Sequence, residues 1–197
     1  MKSLQPVVAF LFFLSLSMNG QAQHVKLVEG AFDVLNNEKK INIEFTYDSM
    51  KVGKYDKEQD FIAHKTADLN KSEPGKGDTW AKKWVEDRGY KFEEKFNEEF
   101  KKYSDKEGGP QKDAKYTIIF HTTFTEPGFS AGWPVRKNAE IRGEAIIVET
   151  ANRNNVIGKI TVEKAMGGPY GGFDFDTGVR IADAYGEAGK ALGKFIK

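Results

Sequence analysis

A chain of 197 residues with no cysteine excludes disulfide staples, thiolate metal sites, a cysteine nucleophile and a lipidated cysteine anchor. Its 30 Lys+Arg against 29 Asp+Glu give no electrostatic footprint for nucleic acid or anionic lipid. The length suits one domain whose core stands without cross-links.

The amino terminus reads as a leader. Lys2 precedes an apolar run from Val7 to Leu16, and small and polar residues follow, ending Gly20-Gln21-Ala22-Gln23. About ten apolar residues are too few to cross a bilayer, which takes roughly 20 in a helix. With Gly20 and Ala22 at the small-residue positions, cleavage falls before Gln23, so residues 1–22 are expected to be a signal peptide and 23–197 a single α+β domain. Loss of Lys2 with the leader leaves 29 basic residues against 29 acidic ones, a neutral domain expected in the periplasm or the extracellular space. No further apolar run of membrane-spanning length follows.

After a short strand at Val25 to Val28, Ile41, Ile43, Phe45 and Tyr47 alternate with Asn42, Glu44 and Thr46, which predicts a strand over 40–48. Phe61, Ile62 and Leu69 share one side of a helical wheel, predicting a helix over 57–71. Ser72-Glu73-Pro74-Gly75-Lys76-Gly77 breaks it, and Asp78 sits where the next helix needs an N-cap. Trp80, Trp84, Phe92, Phe96, Phe100 and Tyr103 then recur mostly at four-residue steps. They predict one long charged helix with an aromatic stripe, and Gly89 marks a bend.

Ser104 to Lys112 reads as a turn, and Tyr116, Ile118, Phe120, Thr122 and Phe124 as a long alternating strand. A Pro- and Gly-rich loop runs from Glu126 to Lys137. It leads to a strand from Ala139 to Glu149, a turn over Ala151 to Asn155 and a returning strand from Val156 to Val162. Past the glycine run at 167–172, the spacing of Val179, Ala182, Tyr185, Ala188, Leu192 and Phe195 predicts a terminal amphipathic helix. The fold class is α+β: an antiparallel or mixed sheet of four to five strands, two helices inserted after the first strands, and a carboxyl-terminal helix.

Few residues point to chemistry. Asp176-Thr177-Gly178 matches the short signature around an aspartic protease carboxylate, but helical patterning follows it, so Asp174, Asp176 or Thr177 reads as a helix cap. The glycine run lacks the Lys-Ser/Thr ending of a phosphate loop and reads as a connection. His24, His64 and His121 lack the spacing of a metal site, and no triad surrounds His121. Glu93, Glu94, Glu98 and Glu99 alternate with lysines as on a solvated helix face. No metal or cofactor is expected. The loop aromatics differ, because no periodicity assigns Phe129 and Trp133 to the core, and together with Arg136 they form the candidate binding set.

The stretch Tyr116-Thr117-Ile118-Ile119-Phe120, Thr125-Glu126-Pro127-Gly128 and Ile157-Gly158-Lys159-Ile160, with the closing Gly189-Lys190-Ala191-Leu192-Gly193-Lys194-Phe195, resembles small exported proteins of unknown function from Gram-negative bacteria. More distantly it is similar to periplasmic lipoprotein and TolB amino-terminal-like domains. The lipobox cysteine of such domains is lacking here, and the helical stretch over 57–103 is an insertion. The resemblance implies work in envelope assembly or protein contact without catalysis, and the expected function is a non-enzymatic envelope or secreted binding module whose partner is an envelope protein or glycan. Two alternatives stand beside it: a secreted hydrolase acting on carbohydrate or peptide, using Asp174, Asp176 or His121, and a carbohydrate-binding module presenting Phe129 and Trp133 to sugar rings.

Overall fold

The computed structural model of the chain describes residues 24–130, 135–168 and 177–197. In β2 (Lys40–Thr46), Ile41, Ile43 and Phe45 turn to one side and Asn42, Glu44 and Thr46 to the other, as the two-residue period of a strand requires. β2 runs parallel to β5 (Tyr116–Glu126), with Ile43 level with Ile118 and Phe45 level with Phe120. From β5 the sheet continues antiparallel through β8 (Glu140–Glu149) and β9 (Asn152–Met166) to β1 (His24–Gly30) at the edge. On the other side, β4 (Glu107–Gly109) pairs parallel with β2, and β3 (Lys51–Val52) pairs parallel with the far end of β5.

The α+β class stands, with a mixed sheet of seven strands in place of the predicted four to five. β3 and β4 account for the difference: at two and three residues they are too short to show a period. β4 falls inside the predicted turn at 104–112. The predicted turn at 151–155 is also corrected, since only Thr150 and Ala151 turn and β9 starts at Asn152, level with Glu149. Turn propensity in this asparagine-rich stretch yields to tertiary contact: the Arg153 guanidinium donates to both Glu44 oxygens at 2.6 and 2.7 Å.

Parallel neighbours need a crossover, and helices supply it between β2 and β5. α1 spans Glu58–Ser72 and α2 Lys76–Asp87, a π-helical segment covers Arg88–Glu93, and α3 runs over Glu94–Ser104. The second predicted helix is therefore continuous in path but rewound in the middle, where the bend at Gly89 was expected. The reason is geometric. Side chains four residues apart on an α-helix drift by about 40° per step, which would carry Trp80 and Phe100 to different sides over five steps. The wider π turn slows the rotation and returns the stripe to the sheet. Trp84, Phe92, Phe96 and Phe100 are buried in consequence. α2 also starts two residues before the predicted Asp78 cap, behind Gly75 at φ 83°, and Asp78 instead accepts from the Asn70 amide at 3.1 Å.

Phe96 meets Phe120 of the sheet at 4.7 Å between ring centroids and Phe45 edge-on at 5.2 Å, while Phe92 stacks on Tyr185 at 5.2 Å. Tyr185 belongs to α4 (Thr177–Phe195), which lies beside α3 against β8 and β9. The two helices approach closely because α4 turns glycines toward α3: a Cβ on Gly189 would stand 2.2 Å from the Phe96 carbonyl oxygen. The opposite side of the sheet is polar, with Thr46 bonded to His121, Asn42 to Thr117, and Lys159 paired with Glu144. No helix among the described residues is long and apolar enough to cross a membrane.

Phe96→Ala should cost about 3–5 kcal/mol, because it empties a site that is fully buried between sheet and helices. Gly189→Ala should cost about 1–3 kcal/mol by forcing α3 and α4 apart. Denaturant titration of both variants beside the wild type measures the two losses, and an unchanged midpoint for Gly189→Ala would mean that the helices separate freely.

Candidate ligand-binding groove

The connection from β3 into α1 is a tight turn in which Val52 and Tyr55 exchange main-chain hydrogen bonds at 3.0 and 2.9 Å. Gly53 within it takes φ +55°, and its N–H donates to the Thr125 carbonyl at 2.9 Å, which fastens the turn to β5. Phe61 and Lys65 follow one helical turn apart on α1, and Trp80 of α2 packs edge-on against Phe61 at 5.6 Å. Tyr55 closes the row at 5.8 Å from Phe61, with the Lys54 ammonium 5.4 Å above its ring.

The facing wall comes from the end of β5 and the two-stranded ribbon of β6 (Phe129–Ser130) and β7 (Arg136–Lys137). Glu126 organises it: one oxygen accepts from the Gly128 N–H at 3.1 Å and the other from the Lys137 ammonium at 2.6 Å. Gly128 adopts φ +66°, and a Cβ there would lie 2.5 Å from the Lys137 carbonyl oxygen, so the corner admits only glycine. Behind it, the buried Arg180 of α4 donates to the carbonyls of Pro127 and Gly128 at 3.3 and 3.4 Å and to Thr177 Oγ1 at 3.4 Å. Between the walls lies a groove of about 380 Å³, lined among the described residues by aromatic rings, three lysines and the carboxylate of Glu126.

Other concave sites are less suited to a guest. A cavity of 420 Å³ between α3, α4 and the end of β9 is lined largely by ionised side chains, of which Lys95 pairs with Glu99 at 3.3 Å. A third, of 410 Å³, opens over Arg88, Glu58 and Tyr47. There the Glu58 carboxylate is bound by the Trp84 indole N–H at 2.6 Å and by Arg88, whose guanidinium lies 4.2 Å from the Tyr47 ring centre. Burial pushes the Tyr47 phenol well above its ordinary range, so it stays protonated and donates to Glu93 at 3.1 Å. These groups hold helices to one another. Glu93 accordingly belongs to an internal network and not to the solvated face predicted for it.

Of the candidate binding residues, Phe129 lies on the rim of the groove and is 46% exposed. It sits on β6 and Arg136 on β7, which corrects the prediction of a structureless loop over 126–137. Arg136 is exposed beside Lys137, level with Ser130, and does not line the groove. Trp133 lies outside the described residues, as do Asp174 and Asp176; Thr177 is the first residue of α4. His121 bonds Thr46 at 3.0 Å on the polar side of the sheet, away from the groove, and His64 lies 3.3 Å from Asp68 on α1. Among the described residues no group of three His, Cys, Asp or Glu is placed to hold a metal ion. Lys54, Tyr55 and Lys65 do not stand out as site residues in the sequence, and Phe61 stands out there only as part of the apolar side of a helix. The helical wheel sets Lys65 apart from the side of Phe61, Ile62 and Leu69, and this is corrected: at four-residue spacing Phe61 and Lys65 line one groove.

No known protein family matches the chain, and no curated protein does. Two solved structures of PelC from Paraburkholderia phytofirmans, both described as dodecamers, are similar to it at 10% identity. One, a point variant, covers 85% of this chain and 98% of its own at a TM-score of 0.35; the other covers 84% and 97% at 0.37.

Proposed function

We propose that this chain is an exported, non-enzymatic binding module of the periplasm or the extracellular space, and that the groove between α1, α2 and the β6–β7 ribbon holds its partner. One observation carries the reading: Phe129, an anchor-type residue, stands 46% exposed on the rim of a concave site whose other rings are fixed in a packed aromatic row. A large apolar side chain held at a rim by a rigid frame is the kind of group in which binding energy concentrates. Export rests on the leader pattern of residues 1–22. The resemblance to periplasmic lipoprotein and TolB amino-terminal-like domains points the same way, toward envelope assembly or protein contact without catalysis.

Mass spectrometry of the chain recovered from outside the cytoplasm of a Gram-negative host should find it beginning at Gln23. Recovery with Met1 intact would remove export from the reading. The groove itself is tested on an isolated Gram-negative envelope fraction. Phe129→Ala should weaken retention of the chain by at least about thirtyfold, near 2 kcal/mol, while the melting temperature stays within a degree or two. Retention unchanged by Phe129→Ala would place the binding surface elsewhere. Turnover of a peptide or glycan that disappears in His121→Ala would instead make the protein a hydrolase.

A further inference from the structure

We infer that the groove takes an acidic sugar, one or two rings of a uronate-bearing oligosaccharide, an assignment that rests on the groove being the binding site. Its 380 Å³ falls at the lower end of the range for small ligands, about 300–1,000 Å³, whereas a specific protein interface needs on the order of 1,000 Å² of buried surface. Tyr55, Phe61, Trp80 and Phe129 supply apolar ring surface against which the C–H face of a pyranose can lie.

Charge then selects among sugars. Among the described residues three lysines line the groove against one carboxylate, and that carboxylate is already engaged by Lys137 and the Gly128 N–H. Lys54 and Lys65 are both exposed, and among the described residues neither has a carboxylate within salt-bridge distance. The chain as a whole is close to neutral, so the excess of lysines over carboxylates among the described lining residues belongs to this site and not to the surface at large. An anionic ring gains from both ammonium groups, a neutral ring only from the aromatics, and a cationic ring is opposed. An acidic peptide would meet the same lysines, but one that binds by strand addition also needs a free strand edge. The β3 wall offers none, because Val52 has its N–H and carbonyl already taken by Tyr55.

The test compares two hexamers that differ only at C6: β-1,4-linked hexamannuronate and neutral β-1,4-mannohexaose, titrated calorimetrically into the full domain at low ionic strength. The acid should bind at least about tenfold more tightly, and added salt should shrink the difference. A double variant, Lys54→Ala with Lys65→Ala, should bring the acid to the affinity of the neutral hexamer without changing the melting temperature, since both side chains are exposed. Equal binding of the two hexamers overturns the acidic class and leaves the groove reading standing. Acid binding that survives both the double variant and Phe129→Ala places the sugar elsewhere and overturns both. Binding of poly-glutamate with neither hexamer bound assigns the groove to acidic peptide and overturns the sugar, and no binding of any of the three overturns the inference outright.

Discussion

The Glu58 carboxylate, 8% exposed at the first turn of α1, accepts from the Trp84 indole and from the Arg88 guanidinium, whose Nη2 reaches both of its oxygens. Burying a carboxylate costs several kcal/mol unless its charge and lone pairs are met, and here three hydrogen bonds and one cation meet them. An acid at the start of a helix also gains from the amino-terminal dipole. The same bonds fix three other things. Trp84 is oriented, and with it Trp80 at 5.6 Å and the row that ends in the groove. Arg88 is held at the first position of the π segment, so the phase shift that buries Phe92 and Phe96 starts from an anchored residue. The guanidinium in turn lies on Tyr47, whose hydroxyl reaches Glu93 at the far end of that segment.

From this clamp the asymmetry of the sheet follows. The buried rings of the crossover helices at Phe92, Phe96 and Phe100 are directed to the side of the sheet bearing Ile43, Ile118 and Phe120, and α4 fills the remainder of that side through its glycine contact with α3. The other side is left to threonines, His121 and charge pairs, as an antiparallel-rich sheet permits. The groove belongs to neither side. It opens beyond the carboxyl ends of β3 and β5, where parallel neighbours must part to reach their connections and where open sheets containing them leave a crevice.

Long periodic elements were legible in the sequence. The alternation of Ile41 to Phe45 and of Tyr116 to Thr122 and the spacing of Tyr185, Ala188 and Leu192 each imply a buried face, and those faces are buried. The aromatic stripe was legible as core but its π turn was not, since a steady four-residue spacing fits a straight helix until the accumulated drift is counted. β3, β4, β6 and β7 were illegible because two or three residues carry no period, and only pairing with a distant partner makes them strands. The site was half legible for the same reason. Phe129 announced itself as a ring without a periodic place, whereas Tyr55, Phe61 and Lys65 become a wall only when the Val52 to Tyr55 turn is fastened to Thr125, 70 or more positions along the chain.

The two walls of the groove are built on different principles. The aromatic wall stands on helices whose mutual position is fixed by the Glu58 clamp and by Gly77, where a Cβ would lie 2.1 Å from the Thr66 carbonyl oxygen of α1. The ribbon wall has two residues per strand and little apolar burial of its own, so its place depends on polar bonds: Glu126 to Gly128 and Lys137, and Arg180 to Pro127, Gly128 and Thr177. Arg180 is 5% exposed and joins the start of α4 to the corner at Gly128, so a load on Phe129 is passed to a helix that spans the core. All three of these bonds leave one guanidinium nitrogen, Nη2, which gathers the two corner carbonyls and the Thr177 hydroxyl about a single point. The rim anchor is thereby held by charge and geometry while the rings beneath it are held by packing, and a ligand closing on both would meet a surface already in position.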